Sequence, residues 1–213
     1  MLKIQIIYDN TSSRDDLKAD WGFAALVEAH DKRFLFDTGA NGDILLQNMH
    51  VLNIDPKSIS DVFISHGHFD HTGGLSHFLN ENNDVTVHLP PSFRGIRSVK
   101  EVKYYDRPGQ LYTGFYTTGE LDKIEQSLIV ETTNGLVIIA GCSHAAMDKM
   151  LDTARNFGSV YGIIGGLHGF DRFELFAGLQ WICPTHCTQH INEIAKRFPR
   201  AYVQGGAGRE FEI

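Results

Sequence analysis

The chain has 213 residues, 42% of them hydrophobic and 21% charged, which suits one globular domain and excludes a disordered or low-complexity protein. The net charge of −7 argues against a general affinity for nucleic-acid backbone, and no apolar run approaches the 18 residues a spanning helix needs. Three cysteines cannot form an even disulfide framework, so a reducing, cytoplasmic setting is the expectation, with no secretion signal at the N-terminus.

In chain order, Leu2–Tyr8 alternates like a strand. Phe23–Ala29 and Arg33–Phe36 read as a hairpin around Ala29-His-Asp-Lys32. A helix capped by Asn41 or Asp43 should run to about His50. Asp61–Ser65 reads as a short buried strand, followed by a His-rich loop, a helix over about Gly73–Asn80 and the strand Val85–Leu89. The stretch from Pro90 to about Lys123 reads as an insertion or lid, because it combines prolines, basic residues and tyrosines. Regular structure resumes with a second hairpin, Ser127–Thr132 and Leu136–Ala140, around Asn134-Gly135. A helix over Ala145–Phe157 follows, then strands at Val160–Ile164 and Trp181–Cys183. Thr188 reads as the N-cap of a helix to Phe198, and Ala201–Val203 and Arg209–Ile213 close the chain. Both halves share a rhythm of hairpin, His-bearing loop and helix. This suggests an α/β chain of two similar sheets packed face to face with helices outside.

Eleven histidines are the unusual feature of the composition. His66-Gly-His-Phe-Asp-His71 places four potential metal ligands in six residues directly after a buried strand. Alternation in extended chain points His66 and His68 the same way, so both can grip one ion. A turn after them lets Asp70 and His71 face a second. Neutral imidazoles with a carboxylate suit Zn, Mn or Fe(II) and not Ca or Mg. His30, His50, His77, His88 and His190 stand alone and read as surface or satisfied core histidines. Cys142, Cys183 and Cys187 read as small buried packing residues. Between Arg94 and Arg107 lie five basic and two acidic residues interleaved with tyrosines, a local charge of +3. Arg94, Arg97, Tyr104 and Tyr105 are therefore candidates to bind an anionic substrate with an aromatic part.

The six-residue motif resembles the His-x-His-x-Asp-His signature of the metallo-β-lactamase fold superfamily. Phe36-Asp-Thr-Gly39, Gly141-Cys-Ser-His144 and Thr185-His186 are similar to that superfamily's other motifs. The runs Gly-Cys-Ser-His, Gly-Gly-Leu-His and Pro-Thr-His-Cys-Thr resemble a narrower branch, the 7,8-dihydropterin-6-methyl-4-(β-D-ribofuranosyl)-aminobenzene-5′-phosphate synthase-like proteins. The resemblance implies a single four-layer αββα domain. It implies one metal on His66, His68 and His144 and a second on Asp70, His71 and His186, with Asp37 orienting a ligand imidazole. Such pairs sit about 3.5–4 Å apart and share a hydroxide that attacks the substrate. Many members carry a bridging Asp where this chain shows His168, in Gly165-Gly-Leu-His168. Asp70 and His168 are the candidate catalytic residues. The expected activity is hydrolysis of a phosphate ester or phosphodiester on a small anionic molecule. The alternatives are a synthase-type transfer on a dihydropterin and a ligand-binding protein without catalysis.

Overall fold

A computed structural model describes residues 1–213. One sheet has seven strands: β1 (Lys3–Tyr8), β2 (Ala24–Ala29), β3 (Lys32–Phe36), β4 (Asp61–Phe63), β5 (Thr86–Leu89), β6 (Glu101–Tyr104) and β13 (Glu210–Glu212). The other has six: β7 (Gly109–Tyr112), β8 (Phe115–Thr117), β9 (Leu128–Thr132), β10 (Gly135–Ala140), β11 (Val160–Gly166) and β12 (Trp181–Thr185). The spatial orders are β13-β1-β2-β3-β4-β5-β6 and β12-β11-β10-β9-β8-β7.

Period-two alternation sends each strand's side chains into two different cores. Leu2, just before the first strand, and Ile4 and Ile6 within it join Val137 and Ile139 of β10 in the core between the sheets. From β10, Leu136, Ile138 and Ala140 point the other way, onto the helices α4 (Met147–Arg155) and α5 (Ile191–Arg197). On the far side of the first sheet, Leu35, Val62 and Val87 pack against α1 (Gly42–Val51) and α3 (Leu75–Glu81), with the single turn α2 (Phe69–Thr72) between them in the chain. Three apolar layers thus separate four layers of structure, helix–sheet–sheet–helix. No helix is long and apolar enough to cross a membrane.

The hairpin turn has His30 and Asp31 at φ 47° and 60°, the left-handed pair that matches strand twist. Asn41 caps α1, accepting from the backbone of Asp43 at 2.9 Å. Three expectations differ from the structure. Thr188 does not cap the last helix, whose N-cap is His190. Its hydroxyl donates to Thr185 O at 2.7 Å and accepts from Leu167 N at 3.0 Å, tying two loops together instead. Ala201–Val203 forms only an isolated bridge, between Tyr202 and Ile182. The stretch 90–123 is mostly not a lid: it supplies β6 to the edge of one sheet and β7 and β8 to the other. Its proline-rich start, 90–100, remains irregular.

β3, β4 and β5 run parallel, as do β10, β11 and β12. Their C-terminal ends carry the loops with Asp37, His66–His71, His144, His168 and His186. That is the edge at which open α/β sheets gather ligands.

Candidate metal centre

The loop after β4 extends from Ser65 to His68 and then turns helical at Phe69. Asp70 and His71 therefore lie on one helical turn, not on extended chain. Gly73 lets this turn sit down on Ala40, whose carbonyl oxygen would lie 2.1 Å from any Cβ there.

Asp37 organises the loop from below. It is fully buried, and its backbone is held at φ 52°. Its Oδ1 accepts from Ser65 N at 2.7 Å, and its Oδ2 accepts from Ser65 Oγ and His71 Nδ1, each at 2.7 Å. The Ser65 hydroxyl, having given its proton to Asp37, accepts from His66 Nδ1 at 2.9 Å. Both rings are thereby held in one tautomer, with Nε2 left as a lone pair. Burial would lower His71, but the Asp37 carboxylate overrides it and raises its pKa. Burial and the neighbouring His71, His144 and His68 rings hold His66 far below the usual imidazole range. His66 Nε2 faces His68 Nδ1 at 3.1 Å.

The second sheet supplies the rest. Glu125 is almost fully buried and accepts four backbone N–H groups of the loop 141–144. Gly141, Cys142 and Ser143 donate to Oε1 at 3.1, 2.9 and 3.1 Å, and His144 donates to Oε2 at 2.7 Å. Burial pushes this carboxyl above its usual range while those donors pull it down. Gly141 is required here, since a Cβ would meet Ser65 Oγ at 2.2 Å. The loop so held sets the His144 ring 4.7 Å from His66 and 4.6 Å from His68, centroid to centroid. Burial and His168 lower His144 to about 4. His168 Nε2 lies 3.4 Å from His144 Nε2, on the wall of a cavity of about 430 Å³ that Ser143, Asp148, Phe170 and Arg172 also line.

His186 follows β12 at φ 50°, with its Nδ1 donating to Asn10 Oδ1 at 2.9 Å and its N–H to Asp9 Oδ1 at 2.7 Å. Its Nε2 is buried and makes no hydrogen bond, although Asp70 Oδ2 lies 3.2 Å away. Asp70 Oδ2 instead accepts from Trp21 Nε1 at 2.9 Å. Burial would raise Asp70, but the His186 and His71 rings outweigh it and hold the carboxyl well below the carboxylate range.

Ligand atoms of Asp70, His71, Cys142 and His186 lie within 4.8 Å of one another, and so do those of His66, Cys142 and His144 and those of Cys142, His168 and Cys187. A cluster of imidazole lone pairs, with His66, His71 and His186 buried and one of them orphaned, fits a divalent transition metal. The sequence put His168 in the place between the two ligand sets; in the structure the Cys142 sulfur lies within reach of both sets, and His168 lies beside His144. The structure also commits Tyr105 elsewhere. Its hydroxyl donates to His88 Nδ1 at 2.9 Å, in a buried network in which His88 Nε2 and Tyr112 both reach Asp61. Tyr104 is exposed with the Arg94 guanidinium 5.0 Å from its ring, and neither they nor Arg97 line the cavity beside His168. Sequence reading missed the contacts of Ser65, Asn10, Trp21 and Glu125; Cys142, two residues from His144 in a motif already singled out, was the neighbour with a visible signal and was read as packing.

The family signature described as the metallo-beta-lactamase superfamily matches residues 21–153. The chain is 28% identical to 7,8-dihydropterin-6-methyl-4-(beta-D-ribofuranosyl)-aminobenzene-5′-phosphate synthase of Methanocaldococcus jannaschii, over 78% of this chain and 80% of that one. Among solved structures it is similar to Tm1679, described as a metal-dependent hydrolase of the beta-lactamase superfamily. That match has 27% identity and a TM-score of 0.80, and covers 100% of this chain and 99% of the other. The Zn(2+)-bound PqqB of Methylobacterium extorquens shares the fold at 13% identity and a TM-score of 0.66, over 99% and 100% of the two chains. With its two packed mixed sheets and flanking helices, the chain belongs to the metallo-beta-lactamase superfamily.

Proposed function

We propose that this chain is a metal-dependent hydrolase that opens a phosphate ester of a small anionic molecule. The observation that carries the reading is the convergence of imidazole nitrogens whose opposite nitrogens are already tied to Ser65, Asp37 and Asn10. His66, His68 and His144 would hold one divalent transition metal, and Asp70, His71 and His186 a second; zinc, manganese and iron(II) all suit this donor set. When bound, such ions supply Lewis acidity toward phosphoryl oxygens and an activated nucleophile at neutral pH.

The protein's own part is preorganisation. Asp37 and Glu125 fix the two ligand-bearing loops before substrate arrives, so no ring has to reorient during reaction. His168 Nε2, on the cavity wall, would take up and return a proton at the scissile oxygen. Arg172 on the same wall, and Arg94 and Arg97 on the 90–100 segment, would attract the anion. Phe93 of that segment packs over Gly67, between His66 and His68.

A second reading, transfer between a dihydropterin and a ribofuranosyl-aminobenzene phosphate, is favoured by the Methanocaldococcus jannaschii relative. Both readings share the metal centre and the phosphate. The test is turnover by metal-loaded protein of a panel of phosphomonoesters and phosphodiesters, beside a mixture of dihydropterin and ribofuranosyl-aminobenzene phosphate. Ester hydrolysis that falls at least about 100-fold in His68→Ala is expected. Joining of the two mixture components without ester hydrolysis would replace the first reading with the second. A non-catalytic protein would turn over neither.

A further inference from the structure

We infer that the Cys142 thiolate is itself a metal ligand, shared by the two ion sites. The inference rests on the metal centre proposed above and assigns its central ligand. Cys142 is the one side chain common to the two groups that hold the motif histidines: its sulfur lies within 4.8 Å of Asp70, His71 and His186 ligand atoms, and of those of His66 and His144.

Three features hold the sulfur there. Cys142 is buried, and its backbone N–H is bound to Glu125 Oε1 at 2.9 Å, so its main chain is fixed by the loop's anchor and its side chain is enclosed. His71 Nε2 lies 3.1 Å from the sulfur, and because Nδ1 donates to Asp37, this nitrogen offers a lone pair. Two lone-pair donors facing each other need a proton or an ion between them. Nitrogen and sulfur ligands on one tetrahedral ion stand roughly 3.3–3.6 Å apart. Independently, His186 Nε2 is buried in the same group without a hydrogen bond. A buried polar atom without a partner marks a missing one.

The chemistry separates Cys142 from the neighbouring candidates. A neutral imidazole nitrogen has one lone pair and cannot serve two ions, so His168 beside His144 cannot bridge. A thiolate sulfur has three lone pairs and can. Binding replaces the thiol proton, which leaves to solvent, with the ion; no electron changes hands. Cys187, whose sulfur lies 3.3 Å from that of Cys142, falls with Cys142 and His168 in a third donor group but in neither of the two groups that hold the motif histidines, so it is the cysteine to compare.

The test is anaerobic titration of the metal-free protein with Co(II), reading thiolate-to-cobalt charge transfer in the near ultraviolet and ions bound per chain. The wild type should show charge transfer that grows through two equivalents. Cys187→Ser should match it. Cys142→Asp should bind two ions without the band, because a carboxylate can also bridge. Cys142→Ser should lose the band and bind its second ion at least about 10-fold more weakly. An undiminished band in either Cys142 variant would overturn the assignment. So would wild-type protein that binds cobalt with visible ligand-field absorption but no charge transfer, an arm that needs no variant to fold. Wild-type protein that binds no cobalt would instead refute the metal centre, and the shared ligand with it.

Discussion

Replacing Glu125 with Gln tests how the second ligand loop is held. The carboxylate now accepts four N–H groups, three at Oε1 and one, from His144, at Oε2. An amide has one acceptor end. In its better orientation Gln keeps the three bonds at the oxygen and turns an NH₂ toward the His144 N–H, donor against donor. A buried donor left unsatisfied costs about 1–3 kcal/mol, and the three surviving bonds lose their charge assistance. Removing the buried charge recovers part of that desolvation, so a net loss of about 2–3 kcal/mol is expected. For a domain of this size that is roughly 5–10 °C in Tm. Glu125→Ala, which strands all four donors, should cost more. The assay is thermal unfolding of the metal-free protein followed by circular dichroism, paired with cobalt affinity. A Glu125→Gln protein melting within about 1 °C of wild type and binding cobalt as tightly would refute the argument that this carboxylate carries the loop.

Asp37→Asn should cut metal affinity about 10–100-fold, measured by competition with a chelator, because His71 loses the acceptor that fixes its tautomer. Asn10→Ala should act in the same direction on His186, and by a smaller factor, since Asp9 still holds the backbone of that residue. Asp61 sits in the buried network where, against burial, bonds from His88, Ser60 and Tyr112 lower its pKa to about 2. A depressed carboxyl contributes stability that is present above its unfolded pKa of about 3.9 and is lost as pH falls toward 2. Urea melts across that window should lose about 1–2 kcal/mol that Asp61→Asn does not lose.

The candidate ligands that share a short motif were legible as neighbours on one loop because spacing alone puts them there. His66, His68, Asp70 and His71 needed only the buried strand before them. The strand hairpins were legible for the same reason, since β2–β3 and β9–β10 close over short turns whose residues announce them. Glu125 was not. Nothing in Asp122-Lys-Ile-Glu-Gln marks it, and its meaning comes from a loop folded back onto it from beyond the next hairpin. The 90–123 stretch misled by composition: its prolines and lysines suggest exposed loop, yet backbone pairing adds its strands to both sheets, and Tyr105 and Tyr112 turn inward to His88 and Asp61. Thr188 has the residue type of a cap, but a hydroxyl that can bridge two loops is not available to a helix end.

The centre straddles the seam between the two halves of the molecule. His66, His68, Asp70 and His71 hang from one sheet, and Cys142, His144 and His186 from the other. An ion gripped by both sets is therefore also a rivet. Separating the sheets empties the site, so unfolding is thermodynamically linked to release of the ion. At free metal 100-fold above its dissociation constant, that linkage adds about 2.7 kcal/mol to the folded state. Resistance to proteases and lifetime at elevated temperature should then follow the supply of metal, rising and falling with it even where no substrate is present.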